Sequence, residues 1–320
     1  MRVLVTGGAG YIGSVVVAHL VEAGHDVVVL DNLVTGHRDA VVPGATFVHG
    51  DIADRTVTEP LLAKGIETVM HFAGFSLVGE SAERPEKYYE NNVVGTFQLL
   101  EAMRKAGAAM LVFSSSAAAY GEPEHIPITE DAPTRPTNAY GATKLAIDNM
   151  IGFYCSAHGL GATSLRYFNV AGAYHHCGER HGHETHLIPL VLDVALGTRP
   201  SIQVFGTDYP TPDGTAVRDY VHVSDLSRAH LLSMDTCAPG QHRIYNLGCG
   251  DGFSVRAVLD ACRIVTAHSI PAVEAARRPG DPARLVASND RIRKELGWRP
   301  ELDLTAMVSD AWAFASGAHR

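Results

Sequence analysis

Thr6-Gly7-Gly8-Ala9-Gly10-Tyr11-Ile12-Gly13 is the stretch whose reading decides the fold. It follows Arg2-Val3-Leu4-Val5, a β-branched run of strand character, and opens an apolar stretch of helical character that begins near Tyr11. Its glycines at Gly7, Gly10 and Gly13 fall where a tight turn, close approach to a pyrophosphate and close helix packing each exclude a Cβ. The free amides of the helix N-terminus then face the phosphates. This G-x-x-G-x-x-G spacing differs from the G-x-G-x-x-G of ordinary dehydrogenases, and a lone glycine run also serves as a plain turn, so its surroundings carry the reading.

Outward from that turn, short β-branched runs alternate with longer amphipathic ones, the pattern of βαβ units in a parallel sheet. Strands are expected at Arg2–Thr6, Asp26–Asp31, Thr46–Gly50, Thr68–Phe72, Met110–Ser115 and Thr163–Phe168, with helices beginning near Tyr11, Asp54, Pro85 and Ala139. The expectation is an α/β fold: a doubly wound parallel Rossmann sheet, with residues 1–170 binding NAD. Asp31 closes the second strand, where a carboxylate accepts from both adenosine ribose hydroxyls and repels a 2′-phosphate, which favours NAD over NADP. Asp51-Ile52 and Phe72-Ala73-Gly74 follow the third and fourth strands on the same ligand-binding edge. After Phe168 the alternation fails. Residues 171–320 are expected to form mainly a smaller C-terminal substrate-binding lobe, with some segments returning to the first domain.

The chain's 320 residues suffice for a sizeable core, and 46% hydrophobic against 19% charged residues is a soluble, globular balance. No run approaches the roughly eighteen apolar residues of a membrane helix, and the start runs straight into a strand with no room for a signal peptide, so the expected location is cytoplasmic. The formal charge of −9, without a Lys/Arg run, argues against nucleic acid as a partner. The cysteines Cys155, Cys177, Cys237, Cys249 and Cys262 are odd in number and lack a C-x-x-C pair, as reduced thiols do.

Tyr140-Gly141-Ala142-Thr143-Lys144 lies on an expected helix, where i, i+4 spacing puts phenol and ammonium on one face. A phenol with pKa near ~10 is a poor base at neutral pH. A neighbouring ammonium and the positive nicotinamide of NAD⁺ would favour phenolate. Ser114-Ser115-Ser116 ends the fifth strand on the ligand edge and offers hydroxyls to relay a proton. The following Ala117-Ala118-Ala119 provides no carboxylate for acid/base elimination.

Together these residues resemble the extended short-chain dehydrogenase/reductase superfamily over essentially the whole chain. His71-Phe72-Ala73-Gly74 with Val78-Gly79-Glu80-Ser81, Arg166-Tyr167-Phe168-Asn169, and Phe205-Gly206-Thr207-Asp208-Tyr209-Pro210-Thr211 through Val217-Arg218-Asp219-Tyr220 are similar to the UDP-galactose 4-epimerase family. That resemblance implies a tightly bound NAD and a UDP-sugar substrate, UDP-glucose or UDP-galactose. On the cofactor side it implies roles for Gly7, Gly10, Tyr11, Ile12, Gly13, Asp31 and Asn32 around the first two strands, then for Asp51, Ile52, Phe72, Ala73 and Gly74. Asn91, Ser114, Tyr140, Lys144 and Tyr167 complete that side. On the substrate side it implies Ser116, Tyr140, Phe168, Asn169, His186, Leu187, Gln203, Phe205 and Tyr220, with Arg218 and Arg278 on the diphosphate and Asp281 on a ribose hydroxyl.

The implied catalytic residues are Ser116, Tyr140 and Lys144. Tyr140 takes the proton of the sugar 4-hydroxyl while the C4 hydride passes to NAD⁺; the 4-ketose turns over and the hydride returns to its other face. Two departures stand out. The loop after the fourth strand reads Phe75-Ser76-Leu77, where many family members carry a lysine, and Leu285 occupies the gate for N-acetylated sugars with intermediate bulk.

UDP-glucuronate and UDP-N-acetylglucosamine 4-epimerases therefore remain open alternatives. A 4,6-dehydratase is disfavoured by the alanines, and a non-catalytic NAD sensor by Tyr140 and Lys144. His175, His176, Cys177, His181, His183 and His186 lack the short spacings that fix tetrahedral ligands, so no metal is expected. The resemblance and the long helices near Pro85–Gly107 and Ala139–His158 imply a homodimer joined through a helix bundle.

Overall fold

In β1 (Arg2–Thr6), Val3 and Val5 join Val16, Val17 and Leu20 in one apolar core while Leu4 joins Leu99, Leu111 and Phe113 in another. A strand buried on both faces is what a parallel sheet covered by helices on either side requires. The computed structural model describes residues 1–278 and 281–317. After β1 the order is α1 (Tyr11–Glu22), β2 (Asp26–Asp31), β3 (Thr46–His49), α2 (Arg55–Leu62), β4 (Thr68–His71), α3 (Val78–Glu83) and α4 (Pro85–Tyr88). Then come α5 (Gly95–Ala106), β5 (Met110–Ser116), α6 (Ala139–His158), β6 (Gly161–Tyr167), β7 (Asn169–Ala171), α7 (Leu187–Ala195) and β8 (Ile202–Phe205). The remainder is β9 (Val217–Arg218), β10 (Tyr220–His222), α8 (Val223–Thr236), β11 (His242–Leu247), β12 (Phe253–Ser254), α9 (Val255–Thr266), β13 (Ala272–Ala275), β14 (Arg284–Leu285), α10 (Asp290–Leu296) and α11 (Leu304–Ala315).

Seven strands form one parallel sheet in the order β11-β6-β5-β4-β1-β2-β3. All six expected strands are present, with ends shifted by at most two residues. The seventh, β11, comes from far downstream and pairs with β6, Tyr245 opposite Leu165. Strand order reverses between β1 and β4, so a crevice opens there at the carboxyl ends. α8 also returns to this body: Leu226, Ala229 and Met234 share the core of α1. A separate core of Ile188, Val191, Leu192, Val204, Val258, Leu259 and Met307 organises the smaller lobe.

The helix expected to begin at Pro85 is not continuous. Tyr89–Val94 form a π-helical turn between α4 and α5. Its wider winding carries the paired asparagines Asn91 and Asn92, and such turns recur at functional sites.

Candidate active site

A cleft of about 1230 Å³ runs along the carboxyl edge of the sheet from the glycine turn to the smaller lobe. Gly7 has φ +72°, and a Cβ there would meet the Ala73 amide nitrogen at 2.5 Å; at Gly13 it would meet the Gly7 carbonyl oxygen at 2.2 Å. These two positions accept only glycine. Asp31 is 7% exposed, and its carboxylate accepts from Ala9 N at 3.0 Å and Leu33 N at 2.8 Å. It thereby ties the glycine turn to the end of β2, while two lone pairs remain for a ribose. Asn32 donates to Asp51 at 2.8 Å, which joins the next two strand ends.

Beyond β4, Asn92 holds the loop backbone at both polar groups of Phe75, accepting from its nitrogen at 2.9 Å and donating to its oxygen at 3.0 Å. Asn91 donates to Asn92 at 2.9 Å and lines the cleft. Although Phe75-Ser76-Leu77 has no lysine, Lys87 reaches this end of the cleft from α4. Its ammonium lies 4.1 Å from the Phe75 ring centre and donates to Glu80 at 2.6 Å.

Tyr140 and Lys144 emerge one turn apart at the start of α6, which Asn138 caps by accepting from Gly141 N at 2.8 Å. A Cβ at Gly141 would lie 2.4 Å from the Ala118 oxygen, so the helix start packs directly on the alanine turn after β5. That packing brings the phenol near the Ser116 hydroxyl. The expected depression of the phenol pKa is not found: burial pushes it up, the nearby Ser116 hydroxyl works in the opposite direction, and Lys144 is not among the causes. The ammonium lies 5.8 Å from the Tyr140 ring centre and donates instead to the Ser114 carbonyl at 2.6 Å. Burial brings Lys144 down to about 8, with Asp148 one turn further along opposing. Asp148 is itself held by Arg166 at 3.0 Å and by Ser115 at 3.0 Å, all three buried. Tyr167 completes this wall with its hydroxyl on His230.

The same cleft is lined by Phe168 and Asn169 and, from later in the chain, by Arg218, Arg278, Asp281 and Leu285. Arg218 pairs with Asp281 and also donates to the Val217 oxygen at 2.8 Å. Leu187, Gln203, Phe205 and Tyr220 are not brought to the wall. Tyr220 is 5% exposed and lies in the lobe core, where its strand pairs with β7 opposite Asn169. Leu187 leans on that core from the first position of α7. On β8 the buried residues are Ile202 and Val204, leaving Gln203 exposed to solvent. Phe205 serves as a platform, with the Arg278 guanidinium 4.0 Å above its ring.

The sequence reading gave no role to Asp219 and did not join Glu179 and Glu184 to the histidines it considered. Asp219, 1% exposed, accepts from the backbone nitrogens of Cys249 (2.6 Å), Gly250 (3.1 Å) and Ala287 (2.9 Å), and so gathers three segments behind Arg218. The loop before α7 brings Glu179, His181, Glu184 and His186 together, with one ligand atom from each within 4.8 Å of the others. The His186 Nδ1, expected to be free for substrate, lies 2.8 Å from Glu179 and 2.9 Å from Glu184. Burial opposes its charge, yet the two glutamates bring it up to about 10. Regular Glu-x-His-x-x-Glu-x-His spacing is the signal that could have found this group.

Residues 3–248 match the NAD dependent epimerase/dehydratase family. The UDP-glucose 4-epimerase of Corynebacterium glutamicum is 59% identical over 317 residues, 99% of this chain and 96% of the relative. This chain belongs to the UDP-glucose 4-epimerase family. Two solved structures share its fold throughout. The UDP-glucose 4-epimerase of Brucella ovis in complex with NAD is 42% identical with a TM-score of 0.94, covering 98% of both chains. That of Bifidobacterium longum in complex with NAD⁺ and UDP is 37% identical with a TM-score of 0.92, covering 99% of this chain and 98% of the other. Membership makes the chain an NAD-dependent epimerase acting on a UDP-sugar at C4, and it accounts for one cleft that joins a dinucleotide turn to an arginine-lined lobe.

Proposed function

We propose that this epimerase interconverts UDP-glucose and UDP-galactose, with Tyr140 exchanging the proton of the 4-hydroxyl. The carrying observation is that a single cleft is lined by the glycine turn, by Tyr140 and Ser116, and by Arg218, Arg278 and Asp281. In this reading residues 1–170 bind NAD and residues 171–320 mainly bind substrate.

The glycine turn fits NAD because backbone, not side chains, forms its floor, and the Asp31 carboxylate stands at its rim. NAD, when bound, supplies the acceptor and donor for the C4 hydride. The Tyr140 phenol is neutral at rest, since burial raises its pKa. Ser116, close to the phenol in the same cleft, would lie beside the 4-oxygen and pass the proton between substrate and phenol. Lys144, anchored on Ser114, keeps a positive charge behind the phenol that stabilises it once it gives up its proton. Arg218 and Arg278 offer planar forks to the two phosphates. Asp281 orients the first of them, and the Phe205 ring beneath the Arg278 guanidinium orients the second.

Purified protein incubated with UDP-galactose should form UDP-glucose without added reductant, and Tyr140→Phe should lower kcat by at least ~10²-fold at unchanged NAD content. Full turnover in that variant would sink the role given to Tyr140. A panel of UDP-hexoses, UDP-N-acetylhexosamines and UDP-hexuronates tests the substrate: preference for a hexuronate or an acetylated sugar would replace the hexose reading.

We also infer a homodimer through α5 and α6, whose outer faces expose Phe97 (42%) and Phe153 (76%) to solvent. The five cysteines are free thiols, which suits a reducing cytoplasm. Among the described residues no helix is long and apolar enough to cross a membrane.

A further inference from the structure

The loop between β7 and α7 carries four side chains whose arrangement the epimerisation does not use. Glu179 and His181 lie on its first part, Glu184 and His186 just before α7, and Glu179, His181 and His186 face the active-site cleft. The His181 Nδ1 is 3.2 Å from a Glu179 oxygen and 3.4 Å from a Glu184 oxygen. That nitrogen is buried with no hydrogen-bond partner. The His186 Nδ1 lies 2.8 and 2.9 Å from oxygens of the same two glutamates. The four donors thus form a closed figure of two nitrogens alternating with carboxylate oxygens. Tetrahedral zinc with bonds of about 2.0–2.1 Å has donor-to-donor edges of about 3.3–3.4 Å. The His181 contacts, poorly directed as hydrogen bonds, already have that length. With neutral imidazoles the figure carries two negative charges, which match a divalent cation. Arg180, the nearest cation in sequence, turns away to a two-pronged pairing with Asp39 at 2.8 and 2.9 Å.

We propose that Glu179, His181, Glu184 and His186 form a divalent-metal site, suited by its two imidazoles and two carboxylates to zinc, that pins the wall of the active-site cleft. The first half of the loop is attached to the dinucleotide-binding body by Tyr11 on the Gly172 oxygen and Tyr174 on Glu22, and its second half by Arg180, whose side chain pairs with Asp39 and whose carbonyl oxygen contacts His37 Nε2 at 3.0 Å. A bound ion fixes the two ends of residues 179–186 to each other and sets the start of α7 against that body.

The test uses the full chain, freed of metal with a chelator and dialysed against ZnCl₂. Inductively coupled plasma mass spectrometry should find one zinc per chain. Co²⁺ in its place should give the intense visible bands of tetrahedral coordination. Glu184→Gln and His181→Ala should each weaken zinc binding at least about tenfold, while His183→Ala, which alters an exposed neighbour outside the figure, should bind as the parent does. Circular dichroism and NAD content check that each variant folds. If either fails to fold, the parent's stoichiometry and Co²⁺ spectrum decide alone. Substoichiometric zinc, a weak octahedral Co²⁺ spectrum, or parental affinity in folded Glu184→Gln and His181→Ala would each overturn the site in favour of a metal-free network of charged side chains.

Discussion

Raising the pH above 8 should stabilise the NAD-free chain relative to its Lys144→Met variant. The Lys144 side chain is 5% exposed, its ammonium donates to the Ser114 carbonyl at 2.6 Å, and burial brings its pKa from 10.5 down to about 8. In the unfolded chain the lysine returns to its ordinary value, so between about 8 and 10.5 the unfolded state binds more protons and stability rises with pH. Below pH 8 the folded chain bears the full cost of a buried ammonium. At about 1.4 kcal/mol for each tenfold change in proton affinity, that cost is about 3 kcal/mol. Methionine keeps the length of the side chain and removes the charge. From pH 7 to 9.5 the parent should therefore gain about 2 kcal/mol over the variant, the portion of the cost relieved by then. Equilibrium urea unfolding at the two pH values, followed by tryptophan fluorescence and compared as a double difference, reads this gain. Groups that titrate alike in both proteins cancel. Parallel pH dependence of parent and variant would show that Lys144 is not desolvated and refute the reasoning.

Two further outcomes follow from the geometry. Gly13→Ala puts a Cβ 2.2 Å from the Gly7 oxygen and 2.9 Å from the Gly8 Cα, both backbone atoms that cannot step aside. Co-purifying NAD, measured after acid release, should fall at least ~10-fold because the turn must open; parental NAD content would show that the turn tolerates a side chain. Phe153→Glu places a charge on the exposed face of α6 and should convert a dimer to monomer in sedimentation velocity while leaving the cleft intact. An unchanged sedimentation coefficient would place the partner surface elsewhere.

The strand, glycine turn and helix at residues 2–22 were legible because two local rules coincide there: apolar period and the exclusion of Cβ. β11 was less so. His242-Arg243-Ile244-Tyr245-Asn246-Leu247 is a strand by virtue of its pairing with β6, some eighty positions away, and no neighbour in sequence announces that partner. The π-turn at Tyr89–Val94 hid inside an unbroken helical pattern, because one added residue per turn changes hydrogen bonding without changing composition.

Within the site, spacing gave proximity but not environment. Tyr140 and Lys144 do share a face, yet the sign of the phenol's shift depends on burial and on the Ser114 carbonyl that captures the ammonium, both products of the packing of α6 on β5. The histidine loop shows the same limit in reverse. Its histidines have unhelpful spacing when read alone, and only the folded loop reveals that glutamates supply the other half of the figure. Phe205 and Arg278 make the distinction sharpest. Both were expected at the substrate, seventy-three positions apart in sequence, but the structure stacks one beneath the other, so what Phe205 sets is the direction of Arg278. A resemblance marks both residues alike; the geometry separates the side chain that lines the cleft from the one that supports it.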